Sequence, residues 1–161
     1  MTDCLACDLT AGRAPLPGGE IHRTRRWTVE HCIGPLGLGA LVVKPLRHVV
    51  HVADLDADEA TEMGPLLHAA ARVVTELVSP EQVYVSLWSH ADGVPGHIHY
   101  VVQPVTRPVM DLLGTYGPAL QAAMFRANVV PPPEAVVGMA ARARALFSPG
   151  TDPAVTTSNQ A

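Results

Sequence analysis

His97-Ile98-His99 sets two imidazoles two residues apart, a spacing at which β-strand side chains leave the same face. Two neighbouring imidazoles are not both protonated cheaply, so each should stay neutral and act as a metal ligand or a nucleophile. Cys4 and Cys7 have the spacing at which two thiolates grip one tetrahedral Zn²⁺. The chain has three cysteines and no second CxxC, so the remaining ligands would be histidines, of which it has eight, or carboxylates. A redox pair is the alternative, but thioredoxin-like pairs open a helix that follows a strand, whereas this one opens the chain. His48 and His51 both follow Lys44-Pro45 and are rivals for a third ligand. Cys32, with no cysteine near it, reads as a small core residue.

These residues are spread from Cys4 to His99, so one fold must bring them together. The chain has 161 residues, 48% of them hydrophobic, and no apolar run of membrane-spanning length, which describes one globular domain over 1–147. Few aromatics leave Val, Leu and Ala to fill a β-containing core. Strands are expected over 21–31 and 39–43 with a turn at Gly34-Pro35-Leu36-Gly37, over 83–88, and from His97 to about Pro104. A Gly-rich connection, 91–96, would leave backbone amides open to a ligand. Asp56 and Glu59 form a capping-box start for a helix to Val78 whose buried stripe is Ala60, Met63, Leu67, Ala70, Val74 and Leu77. Two Ala-rich helices, 109–128 and 134–147, should follow, with breaks available at Gly114 and Gly117-Pro118. From 148 to 161 the composition is that of a disordered tail.

A formal charge of −4 and a pI near 6.0 exclude a duplex nucleic acid held mainly by phosphate contacts, while a local phosphate site stays open. The start lacks the pattern of a secretory signal, which predicts a reducing cytoplasm. Arg23, Arg25 and Arg26 read as a solvated strand face, and Asp54, Asp56, Asp58 and Glu59 as a helix start rather than a Mg²⁺ site. His22, His31 and His68 receive no role.

The order Cys4-x-x-Cys7, then Leu41-Val42-Val43 leading to Lys44-Pro45-Leu46-Arg47-His48, then Gly96-His97-Ile98-His99-Tyr100-Val101-Val102 resembles the histidine-triad superfamily over about residues 4–105. Within it the chain is similar to the zinc-bearing members and to the hexose uridylyltransferase branch. The resemblance implies an α+β fold: an antiparallel sheet of about five strands with helices packed on it, here with C-terminal helices added. It implies Cys4, Cys7, His48 and His97 as ligands of a structural Zn²⁺, choosing His48 over His51. It also implies His99 as a nucleophile that attacks the α-phosphorus of a nucleotide or nucleotide conjugate, and a protein that pairs as a homodimer. The substrate-binding candidates are the backbone amides of Gly93 to Gly96, the hydroxyls of Ser86 and Ser89, and Gln103.

The departures from the family pattern bear on activity. Val101 stands where a full triad has its third histidine and the uridylyltransferase branch has Gln; the nearest Gln is Gln103, two residues farther along the same strand face. The approach segment Ser86-Leu87-Trp88-Ser89-His90 lacks the usual Asn, and His90 is expected to face water. The sequence therefore supports a nucleotide hydrolase or nucleotidyltransferase, with an inactive nucleotide-binding or protein-interaction module as the alternative.

Overall fold

A computed structural model of the chain describes residues 4–91 and 93–148. The tail expected from 148 lies, apart from Ser148, outside the described residues. In chain order the elements are α1 (Leu5–Thr10), β1 (Glu20–Arg23), β2 (Trp27–His31), β3 (Leu41–Pro45), α2 (Ala57–Val78), β4 (Gln82–Ala91), β5 (Val94–Val105), α3 (Arg107–Leu113), α4 (Gly117–Ala127) and α5 (Pro133–Phe147). The five strands form one antiparallel sheet in the order β1-β2-β3-β5-β4. No helix among the described residues is long and apolar enough to cross a membrane.

The strand expected over 21–31 is two strands. Thr24 Oγ1 accepts hydrogen bonds from the amides of Arg26 (3.3 Å) and Trp27 (2.9 Å), and this side-chain turn folds β1 back on β2. The Gly-rich connection is also shorter than expected: β4 and β5 pair out to Ala91 and Val94, so residues 94–96 belong to a strand. The first C-terminal helix is split, with Gly114 closing α3 in a left-handed conformation at φ 62°.

α2 begins as expected, with Asp56 accepting from the Glu59 amide and the Glu59 carboxylate accepting from the Asp56 amide, both at 2.8 Å. Its buried residues are Glu59, Leu66, Ala70, Val73, Val74 and Leu77, so the buried stripe is turned from the expected one and Ala60 is exposed. The shift follows from Glu59, which is buried because its charge is met by Arg47. Asp58 pairs with Arg25 and Arg26, and Glu20 with Arg23, so the arginine cluster is spent on intramolecular pairs.

α2 and α5 cover one sheet face, burying Trp27, Val29, Leu41, Val43 and Val102. Trp27 is fully enclosed and donates from Nε1 to the Glu59 carbonyl at 2.9 Å. The opposite face carries Val42 and Val101 under the loop residues Cys32, Leu36 and Ala40, with α4 above. On β4, Val83 packs against the core under α2 and α5, but Val85 and Leu87 farther along the same face are 46% and 44% exposed, because the helix layer covers only the start of this edge strand.

His31 is fully buried and holds the 32–39 loop closed. Its Nδ1–H donates to the Cys32 carbonyl (2.7 Å), and its Nε2 accepts from the Gly39 amide (2.9 Å). Gly39 sits at φ 90°, and a Cβ there would lie 2.7 Å from the Val78 side chain, so the position requires glycine. His31→Ala should leave a buried carbonyl and a buried amide unpaired and lower stability by about 2–4 kcal/mol in denaturant titration. Burial holds the His31 imidazole below its ordinary value of 6.5. The unfolded chain therefore binds a proton first as pH falls, so stability is complete above about pH 6.5 and declines below it. The unfolding midpoint should drop between pH 7 and pH 5, with a shallower slope in the alanine variant.

Candidate functional site

Three local structures bring the cysteines and histidines together. Cys4 caps the N-terminus of α1, which carries Cys7 one turn on. After β3, Arg47 makes a two-pronged contact with the Glu59 carboxylate (3.0 and 2.7 Å) and donates to the Asp54 carbonyl (2.8 Å), which fixes the segment bearing His48 against the start of α2. The same segment runs beside β5, where the Ile98 amide donates to the Val49 carbonyl at 2.8 Å. His48 and His97 consequently meet edge to face with ring centroids 5.1 Å apart. His51 is exposed and outside the cluster.

The ligand atoms of Cys4, Cys7, His48 and His97 all lie within 4.8 Å of one another. His97 Nε2–H donates to the Pro45 carbonyl (3.0 Å), which leaves the Nδ1 lone pair directed at Cys4 Sγ (3.8 Å) and Cys7 Sγ (3.4 Å). His48 Nδ1 is 3.4 Å from Cys7 Sγ. Tetrahedral bonds to sulfur and nitrogen ligands around one Zn²⁺ imply ligand–ligand separations of about 3.3–3.8 Å; the three Cys–His distances above lie in that range, and no pair in the cluster is farther apart than 4.8 Å. The chemistry of the donors agrees. Burial lowers His97 to about 4, keeping its imidazole neutral, and the carbonyl partner is the usual outer support of a ligating histidine. Burial and the adjacent Cys4 thiol push Cys7 up to about 11, so a bound cation would have to displace its proton.

His99 projects from the same face of β5 as His97 but stays out of the cluster. Its Nδ1 lies 3.2 Å from the His97 carbonyl. A carbonyl only accepts, so the proton sits on Nδ1 and Nε2 keeps its lone pair. Burial, with a smaller contribution from the Lys44 charge, lowers the His99 pKa and favours this neutral form. His99 lines a cleft of about 630 Å³. One wall is α1, through Leu5, Ala6 and Leu9; another is Trp88 with Phe125, whose rings stack at a tilt with centroids 5.0 Å apart. Val42 and Val101 lie on its floor, and His90 is at its exposed rim.

The other substrate-binding candidates are placed differently. Gly96 lines the cleft, but Gly93 is in the hairpin turn at φ 79° and Ser89 is in the irregular register between Trp88 and His90. Gln103 is fully buried under α4: its amide donates to Met124 Sδ (3.0 Å) and its carbonyl accepts from Gln121 (3.0 Å). Gln121 also donates to Ser86 Oγ at 3.1 Å. Both side chains therefore hold α4 to the sheet and do not face the cleft. Because α4 lies outside the recognisable segment, its claim on Gln103 could not be read from the strand pattern.

Sequence reasoning missed two cleft residues, Lys44 and Glu30. Lys44 Nζ donates to Glu30 Oε1 at 2.7 Å, with side chains 1% and 5% exposed. Burying such a pair costs on the order of several kcal/mol per ion before their attraction is counted. Desolvation outweighs the nearby ammonium and raises the Glu30 pKa. The signal was present as a charge at position 44 closing the apolar run Leu41-Val42-Val43, with an acidic residue at position 30 inside the neighbouring strand.

No protein-family model matches the chain, and no curated protein does. Among solved structures the chain is similar to a Hit-like protein involved in cell-cycle regulation from Bartonella henselae, with 15% identity and a TM-score of 0.68 over 91% of this chain and 98% of that one. A hypothetical histidine triad nucleotide-binding protein from Sulfolobus tokodaii matches with 14% identity and a TM-score of 0.67 over 89% and 91% of the two chains. A Zn-bound histidine triad family protein from Mycobacterium smegmatis matches with 20% identity and a TM-score of 0.64 over 89% and 94%. The chain thus has the α+β histidine-triad fold.

Proposed function

Proceeding from that fold, we propose that the protein is a nucleotide hydrolase or nucleotidyltransferase acting at the α-phosphate, with a structural Zn²⁺ held by Cys4, Cys7, His48 and His97. The observation that carries the reading is the division of labour on one strand. His97 is turned by the Pro45 carbonyl toward two thiols, while His99, two residues on, keeps an unprotonated Nε2 in a cleft.

The chemistry follows from that nitrogen. Nε2 attacks the α-phosphorus as the bond to the leaving group breaks, and that group departs with the electron pair and, where it is an amine, with a proton taken from solvent. Water or another acceptor then opens the nucleotidyl-histidine, giving up its proton to solvent and restoring neutral His99. The Nδ1–H bond to the His97 carbonyl steadies the ring as charge develops on it. Zn²⁺, when bound, supplies structural ties between α1, the His48 segment and β5. The proposal includes pairing of two copies, for which β4 offers an edge strand with exposed Val85 and Leu87.

Val101 favours a second reading. A valine side chain neither donates to a leaving group nor accepts from one, and on this reading the fold keeps the cleft as a binding module without turnover. Release of nucleoside monophosphate from adenosine and guanosine phosphoramidates and dinucleoside polyphosphates separates the readings. Turnover by the zinc-loaded protein supports the enzyme; nucleotide binding with no release across the panel supports the module.

A further inference from the structure

The charged pair beside His99 has no part in the chemistry described above. The sheet register pairs Val43 with Tyr100 and Trp88 with His99; one step along β3 from Val43 puts Lys44 opposite His99. Lys44 and Trp88 therefore flank His99 in one row across the sheet, on the face that forms the cleft. Among the described residues lining the cleft, Lys44 carries the one fixed positive charge. Its ammonium has three N–H donors, and Glu30 Oε1 is the one acceptor it meets among the described residues.

We propose that Lys44, anchored by Glu30, is the phosphate-binding cation of this cleft and sets a preference for phosphorylated over unphosphorylated ligands. The inference rests on the nucleotide reading of the cleft. A phosphate brought beside His99 needs a counter-charge, and Val101 supplies none. With the side chain 1% exposed in the cleft lining, the two remaining ammonium N–H groups meet phosphate oxygens once Lys44 tilts toward the cleft, and the enclosed floor screens that attraction less than water would. Glu30 balances Lys44 when no anion is present and holds the flexible side chain in place. The pair thus performs at row 44–99 a charge-stabilising task for which position 101 has no polar group.

The test uses the full chain loaded with Zn²⁺ and calorimetric titration with adenosine, guanosine and their 5′-monophosphates. The wild type should bind a monophosphate at least about tenfold tighter than its nucleoside. Lys44→Met alone strips Glu30 of its counter-charge, so both charges are removed together in Lys44→Met/Glu30→Met. That variant should bind nucleosides as before while its preference for monophosphates collapses to within about twofold. Glu30→Gln alone should enlarge the preference, and it decides the matter if the double variant does not fold. A double variant that keeps the wild-type preference overturns the proposal, as does a wild type that binds both ligand types equally. A wild type that binds neither overturns the nucleotide reading itself, and the proposal with it.

Discussion

Replacing His99 with alanine should lower turnover of a nucleoside phosphoramidate by about 10³-fold or more, with metal content and unfolding midpoint unchanged. The size of the effect follows from what is removed. His99 is the residue on the cleft face of β5 whose ring nitrogen is unprotonated and free of the metal cluster, whereas His97 uses both of its nitrogens. Small structural cost is expected because His99 is only half-buried and its one polar contact is to a carbonyl of its own strand. Steady-state release of monophosphate measures the first effect, and zinc quantitation with thermal unfolding measures the second. Turnover that persists in the variant would assign the chemistry elsewhere.

Removal of Zn²⁺, by chelation or by Cys4→Ser/Cys7→Ser, should release α1 and dismantle one wall of the cleft. α1 buries Leu9 alone, so little apolar packing holds it to the sheet, and its cysteines are the links to His48 and His97. The main core, from Trp27 and Val29 through α2 and α5, includes no residue of α1. Nucleotide affinity should fall at least about tenfold as Leu5, Ala6 and Leu9 leave the cleft, and amide exchange should rise over 4–12 while staying low in β5. With metal a thousandfold above its Kd the linkage is worth about 4 kcal/mol. In a chain of this size that is an unfolding midpoint about 8–16 °C lower on metal removal. A catalytic metal predicts another pattern: activity lost with α1 still protected and ligand still bound.

Both predictions rest on residues whose spacing is local in the sequence. The clustering of Cys4, Cys7, His48 and His97 was legible because CxxC and HxH are short local spacings and His48 follows a strand, and the same HxH spacing put His99 on the His97 face of β5. The α2 capping box was equally local, and Asp56 and Glu59 meet as their spacing requires. Features that depend on which elements pack together were not legible. Gln103 has the parity of a cleft residue, yet α4 arrives from a distant part of the chain and takes both ends of its amide. Val83, Val85 and Leu87 alternate like a strand buried on one face, but only Val83 packs against the core, because burial depends on how far the helix layer extends along the strand, which periodicity does not encode. Thr24 divided one expected strand into two through hydrogen bonds that a hydrophobic pattern does not register. His31, which the sequence gives no role, closes a loop with both ring nitrogens, contacts that no local spacing announces.

Rapid mixing with intact-mass analysis detects a covalent nucleotidyl group on His99 directly. Zinc-loaded protein mixed with adenosine 5′-phosphoramidate and quenched within the first turnover should gain the mass of one adenylyl group. Peptide mapping should place it on His99, and the alanine variant should show none. Release of monophosphate by the wild type with no adduct at any quench time, or an adduct on another residue, would contradict the account.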